Sequence, residues 1–315
     1  MKIYSDILIL GAGMSGLVLN HTIKKVSDAC KNPILLEKGY PGIESNNTYV
    51  TFLKHKTSYS CRPFKAQVQM INPGWGDVDK LYSFKLYNKL FDLNFFQNIN
   101  KSEIKTYYNI DVPKLLKNAN IYGNVEVTEI DLFSKTVHGK VLHLNEEVTA
   151  NYDILVNTLP IHKFAKMSGI DLYKQFKAFI QYYPIGIKHY QSAEYREKME
   201  ILYWPDPNVP FYRTHFYGND IWYEYCLSKS NLGKIKFDHI SIPGKFIRLN
   251  TEIYELINRY LEALNVYLVG RYALWNPDFL IDDIDFILTG KEAQIKHDSL
   301  ISLYSKLDML NNKEF

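Results

Sequence analysis

Three cysteines in 315 residues, Cys30, Cys61 and Cys226, stand far apart and form no C-x-x-C pair. That scarcity excludes a disulfide framework and a cysteine zinc site, and it fits a reducing compartment. No apolar run nears the roughly 20 residues that a membrane-spanning helix needs. The opening "MKIYSDILIL" places a lysine before an apolar run, but that run is too short for a signal-peptide core and ends in a glycine turn. A cytoplasmic location and no membrane partner are therefore expected. Net charge is only +3, without a dense basic stripe, so nucleic acid is not indicated as a partner. There is no internal repeat, low-complexity tract, P-loop, H-E-x-x-H motif or G-x-S-x-G elbow, and no metal is expected. Nothing in the sequence fixes an oligomeric state.

What the chain does have stands at its N-terminus. "IYSDILILGAGMSGLVLNHTIKKVSDACKNPILLEKG" reads as strand, tight turn, helix, strand. Ile7 to Leu10 form the unbroken apolar run of a buried parallel strand. Gly11, Gly13 and Gly16 then complete G-x-G-x-x-G. In that motif the first glycine permits the sharp turn, the second lets backbone approach a pyrophosphate, and the third lets helix and strand pack closely. The N-terminus of the following helix offers free N–H groups and partial positive charge to phosphates. "ILLE" supplies the second strand and ends in Glu37, spaced to accept hydrogen bonds from a ribose diol. The order of these parts predicts dinucleotide binding.

The pattern after Glu37 is not a simple run of βα units. A polar stretch, "GYPGIESNNTYVTFLKHKTSYS", reads as a long loop over the cofactor. "VEVTEIDLFSKTVHGKVLHL" is strand-like around a turn, and "YDILVNTLP" is another buried strand ending in a polar turn. Such interruption suits FAD-binding folds, in which substrate-domain segments are inserted between pieces of the nucleotide domain. The predicted class is α/β: a Rossmann-like FAD-binding domain from about 1–60, 112–165 and 246–315. An inserted β-rich (α+β) substrate domain would come from about 61–111 and 166–245. "FIQYYPIGIKHY", "MEILYWPD", "PFYRTHFY" and "DIWYEYCLS" are its strands, and core packing accounts for most of their aromatics. "KEAQIKHDSLISLYSKLDML" is expected to form a C-terminal amphipathic helix.

Four stretches, in order, resemble one group of flavoproteins. "DILILGAGMSGLVLN" with "LLEK" is similar to the start of FAD proteins of the glutathione-reductase-like superfamily. "YDILVNTLP" (152–160) resembles amine-oxidase and protoporphyrinogen-oxidase-like members. "YWPDPNVPFYRTHFYGN" (203–219) and "SIPGKFIRLNTEIYELINRYLEALNVYLVGRYALW" (241–275) resemble UDP-galactopyranose mutases and their relatives. The resemblance implies FAD contacts at Gly11, Gly13, Met14, Ser15 and Gly16, at Glu37 and Lys38, and at Val127 and Thr158. It places Gly270 and Arg271 against the pyrophosphate and ribityl region, where many superfamily members carry Gly-Asp instead. A planar guanidinium can hold phosphate through two parallel hydrogen bonds. By the same resemblance Tyr212, Arg213 and Trp275 contact an anionic substrate, and His55 lies near the flavin. His55 and Arg213 are the candidate catalytic residues. The chain departs from the mutases where Ile281 replaces the family's Asp, with Asp282, Asp283 and Asp285 nearby, and where the turn after Glu37 reads "KGYPGIE".

The implied function is an FAD-dependent enzyme acting on a nucleotide-linked sugar or similar anionic small molecule by mutase-like flavin chemistry. The alternative is an FAD-dependent amine oxidase, dehydrogenase or lyase working at a C–N bond, modified nucleotides included. A third reading is a flavin-binding scaffold without catalysis. Either enzyme asks little of side chains, because the cofactor carries the chemistry and the protein orients the substrate. That is consistent with the lack of an obvious acid–base pair.

Overall fold

The computed structural model describes residues 1–28, 30, 32–39, 53–87, 104–170, 174, 177–227, 235–291 and 297–312. Most of the loop expected over the cofactor (40–52) and the start of the expected C-terminal helix (292–296) lie outside the described residues. The strands are β1 (Lys2–Leu10), β2 (Ile34–Leu36), β3 (Ser60–Met70), β4 (Ile104–Ile110), β5 (Asn120–Tyr122) and β6 (Val125–Asp131). They continue as β7 (Thr136–Val141), β8 (Glu146–Asn157), β9 (Tyr182–Tyr203), β10 (Arg213–Cys226), β11 (His239–Phe246) and β12 (Val266–Leu268). The helices are α1 (Met14–Val26), α2 (Val78–Tyr87), α3 (Val112–Lys117), α4 (Ile161–Met167), α5 (Thr251–Ala263), α6 (Ile281–Leu288) and α7 (Asp298–Asn311). None of the described helices is long and apolar enough to cross a membrane.

The chain divides into two compact units, one from Met1–Cys61, Asn109–Ile180 and Ile247–Phe315, the other from Arg62–Tyr108 and Gln181–Phe246. The first contains a sheet with the path β5-β2-β1-β8-β7-β6, and β12 also pairs with β8. β1 runs parallel to β2 on one side and to β8 on the other, with Leu8 opposite both Ile34 and Leu155. β5 and β12 extend this parallel core, whereas β6 and β7 form an antiparallel hairpin against the first half of β8.

The apolar run predicted for β1 is the centre of that core: Ile7, Leu8, Ile9 and Leu10 are all at most 1% exposed. Strands covered on both faces read as continuous hydrophobic runs because neither face meets water. Each such aliphatic side chain stabilises the fold by about 1.5–3 kcal/mol on burial. α1 leaves β1 and leads to β2 on one flank, while β8 occupies the other flank. The carboxyl end of β1 is thus a point where the strand order reverses, the place at which open α/β sheets form a ligand crevice.

The second unit is a sheet ordered β10-β9-β3-β4, with β11 also on β9. β10 pairs with two separate stretches of β9, residues 200–203 and 185–191, with register breaks on either side of Gly218. Gly218 has φ 61°, and the Tyr212 N–H donates to the Glu224 carbonyl at 2.9 Å. The two ends of β10 therefore lie side by side. The α/β class with a Rossmann-like unit and an inserted β-rich unit is the one the sequence predicts.

Candidate functional site

The first unit gathers the glycines and polar residues singled out in the sequence at the carboxyl ends of four strands. The Gly11 N–H donates to the Leu36 carbonyl at 2.9 Å, joining the ends of β1 and β2. The Thr158 N–H and hydroxyl both donate to the Leu10 carbonyl, at 3.1 and 2.7 Å, joining β8 to β1. The Val269 N–H donates to the Asn157 carbonyl at 3.0 Å, joining β12 to β8. Sequence positions 11, 37, 158 and 270 so become neighbours in one crevice.

The glycines differ in what they permit. Gly11 has φ 96°, and a Cβ there would lie 2.7 Å from Thr158 Oγ1. A Cβ on Gly16 would fall 2.0 Å from the Gly11 carbonyl oxygen, so the helix can approach the turn only without a side chain. Gly270, at φ 103°, packs its α-carbon against the start of α1, where a Cβ would meet Ser15 Oγ at 2.7 Å. Gly13 is the exception: a Cβ there meets nothing within 4 Å, and the residue is exposed. It is the N-cap of α1, a helix that has no side-chain cap and no acidic residue in its first turn. The first N–H groups of a helix have no intrahelical acceptor, so this open, uncapped end is suited to an anion.

Glu37 closes the same crevice. Its Oε2 accepts from the Ala12 N–H at 2.6 Å and its Oε1 from the Gly39 N–H at 2.9 Å. An ionised carboxylate has about four acceptor sites, so each oxygen retains capacity for a diol hydroxyl. Uncapped helix end, open Gly13 face and oriented carboxylate fit the pyrophosphate and ribose of a dinucleotide such as FAD.

Other expected contacts have varied surroundings. Met14 is half-buried on the first turn of α1, and Arg271 is exposed just after β12. Lys38 is exposed and paired with Glu126 at 2.6 Å. Val127 is half-buried in β6 opposite Gly139. Trp275 is fully buried at φ 48°, its ring edge-on to His162 at 5.6 Å. The expectation that Trp275 faces a substrate thus meets a side chain packed into the core of its own unit. His55 is half-buried; its N–H donates to Asp282 Oδ2 at 2.8 Å and its ring packs edge-on to Phe286. The acidic run after Ile281 turns inward: Asp282, Asp283 and Asp285 are all buried on α6. Asp283 accepts from the Leu280 N–H at 3.0 Å and contacts His297 at 3.1 Å, while burial pushes the Asp282 carboxyl up.

The second unit holds a different constellation, centred on Glu224, which is 1% exposed. Its Oε1 accepts from the Arg213 guanidinium at 2.6 Å and from His215 Nε2 at 2.9 Å, and its Oε2 accepts from the Tyr212 hydroxyl. The rings of Tyr203 and Tyr212 lie 5.8 and 6.0 Å from the guanidinium, and Lys245 sits 5.4 Å from the Tyr212 ring. Burial raises the Glu224 carboxyl, but the Arg213 charge and the His215 hydrogen bond overcome it and hold it well below the usual carboxylate range. Burial and the Arg213 charge push His215 down, and its Nε2 faces the Glu224 carboxylate, which can only accept, so that nitrogen carries the donated proton. Burial and the Glu224 charge push the Tyr212 hydroxyl well up. Three perturbed groups, Tyr212, Arg213 and His215, around one buried and itself perturbed carboxylate are the kind of cluster found at functional sites.

Tyr212 and Arg213 were legible in the sequence; Glu224 was not. The missed signal is the glycine of "GND" (218–220), set between aromatic-rich stretches. The register of β10 against β9 breaks there, and a bend at such an irregularity brings residue 212 beside residue 224. The same unit also has an open groove of about 1000 Å³ beside Phe64 and Tyr217, where the charges of Arg196 and Glu200 are paired with each other.

No family model matches the sequence, and no curated protein matches it. Among solved structures the chain is similar to a reduced UDP-galactopyranose mutase, at 12% identity and TM-score 0.55, covering 98% of this chain and 99% of that one. It is also similar to a CLA-producing fatty acid isomerase from P. acnes, at 12% identity and TM-score 0.51, covering 99% of each chain. The likeness is one of fold, and it spans both units.

Proposed function

We propose that this chain is an FAD-dependent enzyme acting on a small anionic molecule by flavin chemistry without net redox, as a mutase or isomerase does. The observation that carries the reading is the crevice at the ends of β1, β2, β8 and β12. There an uncapped helix end, the open face of Gly13 and the Glu37 carboxylate converge. The N-terminus of α1 holds the pyrophosphate, Glu37 the ribose diol, and the backbone at Gly270 borders the dinucleotide. FAD, when bound, supplies the reactive centre of the chemistry. The chain orients the substrate, with Arg213 as the group that meets its negative charge. The two solved structures of similar fold are named for a mutase and an isomerase, which supports rearrangement over oxidation.

The test begins with the absorbance spectrum of the purified protein and chromatography of what heat denaturation releases. Visible flavin bands and released FAD are expected. A colourless protein that takes up no added FAD overturns the reading. Turnover only after pre-reduction, with no oxidant consumed, is expected of a rearrangement. Bleaching of the flavin by substrate, with oxygen consumed, would make the enzyme an oxidase instead.

A further inference from the structure

We propose that an open trough in the first unit, beside the hairpin of β6 and β7, is a docking site for a basic, extended segment of a partner protein. The inference goes beyond the flavin reading and does not depend on it. The trough has a volume of about 600 Å³ and lies between the end of β6, the turn after α4 and one face of α5. Phe133, in the turn between β6 and β7, is 79% exposed, and Leu256 and Tyr260, one helical turn apart on α5, are 56% and 39% exposed. Single exposed apolar side chains are ordinary on a protein surface. Three that line one trough together with Ile170 are the mark of an interaction site. Because these walls stand open to water, they suit a segment lying along them better than a small molecule, which pockets mostly enclose.

Charge and backbone define the partner. The charged groups lining the trough are Glu129 and Asp131, both exposed, and among the described residues no lysine or arginine lines it. Asp131 Oδ1 accepts from the Phe133 and Ser134 N–H groups at 2.9 and 3.0 Å, which fixes the turn, and the Ser134 bonds hold the carboxyl below its ordinary range. A chain of net charge +3 thus turns an acidic, apolar face to solvent here. β6 is the last strand on its sheet path, paired on one side with β7. Its register slips between Val127 and Glu129, then runs regularly with Glu129 opposite His138, Ile130 opposite Val137 and Asp131 opposite Thr136. A bulge blunts an edge, so the stretch open to a further strand is this last one, which borders the trough. On it Glu129 and Asp131 share one face, and Ile130 takes the other. A docked strand matches that alternation with basic residues opposite the two carboxylates and an apolar residue opposite Ile130. A second copy of the chain matches poorly, because β6 laid antiparallel on itself sets Glu126, Glu129 and Asp131 against the same acids.

The test is fluorescence anisotropy of the full chain with two labelled peptides of about eight residues, one alternating lysine with leucine, the other glutamate with leucine. The lysine peptide is expected to bind about tenfold or more tightly than the glutamate peptide, and the difference to shrink as salt is raised. Phe133→Ser and Glu129→Lys are each expected to weaken that binding about fivefold or more. Leu144→Ser, which removes an exposed apolar side chain outside the trough, is expected to leave it unchanged. No binding of the lysine peptide, equal binding of the two peptides, or unchanged affinity in either folded trough variant overturns the proposal. An equal loss in Leu144→Ser also overturns it, because the contact is then general to the surface. So does a wild-type dimer in sedimentation velocity that Phe133→Ser dissociates, since the trough then holds a second copy. If Phe133→Ser is not recovered folded, Glu129→Lys decides alone.

Discussion

The glycine turn of the first unit and the Glu224 cluster of the second both place polar groups in their unit's interior, and they satisfy them by different means. At the turn the donors are backbone N–H groups: Ala12 and Gly39 bond Glu37, and Gly11 bonds Leu36. Around Glu224 the donors are side chains, one of them a full cation. A backbone site is fixed by the fold's own hydrogen bonds and tolerates little change of shape. A side-chain charge site is fixed by mutual compensation and tolerates little change of charge. Removing one partner of a buried pair strands the other without solvent.

The largest expected effect breaks the charge site. Arg213→Ala leaves Glu224 buried without its cation and is expected to lower unfolding stability by about 3–5 kcal/mol, read from urea midpoints. A loss under about 1 kcal/mol would mean that His215 and Tyr212 suffice and that the pair contributes little. The backbone site is broken next by shape: Gly16→Ala sets a Cβ 2.0 Å from the Gly11 carbonyl oxygen. It is expected to cost about 1–3 kcal/mol as overpacking and to abolish retention of FAD, seen as a colourless preparation.

Proton binding separates the two regions further. His215 is pushed down from its ordinary value of 6.5, so below that pH the unfolded chain binds a proton that the folded chain refuses. Stability therefore falls as pH drops from 6.5 towards the folded value. Glu224, held down in the fold, adds a second loss at still lower pH, as the pH falls through its folded value. His215→Gln removes the first titration and retains a donor for Glu224. It is expected to flatten the slope of stability against pH just below 6.5 in a pH series of urea melts; an unchanged slope would assign the titration elsewhere. The smallest stability effect is the most discriminating for the crevice. Gly13→Ala adds a methyl to open space at an ordinary helix-cap backbone, so its melting is expected to stay within about 0.5 kcal/mol of wild type. The same methyl enters the pyrophosphate path and is expected to weaken FAD uptake. Unchanged FAD affinity would place the pyrophosphate away from Gly13.

Local pattern fixed the βαβ start. An unbroken apolar run can satisfy its burial only between covered faces, and G-x-G-x-x-G before a helix leaves an uncapped N-terminus facing outward, whatever the rest of the chain does. Glu37, Thr158 and Gly270 could be named because each sits at the end of a recognisable buried strand. Their meeting in one crevice depended on the strand order β2-β1-β8-β12, a long-range pairing that no single segment encodes. Tertiary structure alone decided the rest. It packed Trp275 into the core, turned the acidic run of α6 inward, and folded β10 back at Gly218 so that Glu224 met Arg213. A turn glycine is visible in a sequence, but which charge it brings opposite which depends on register, and register is settled by the packing of whole strands.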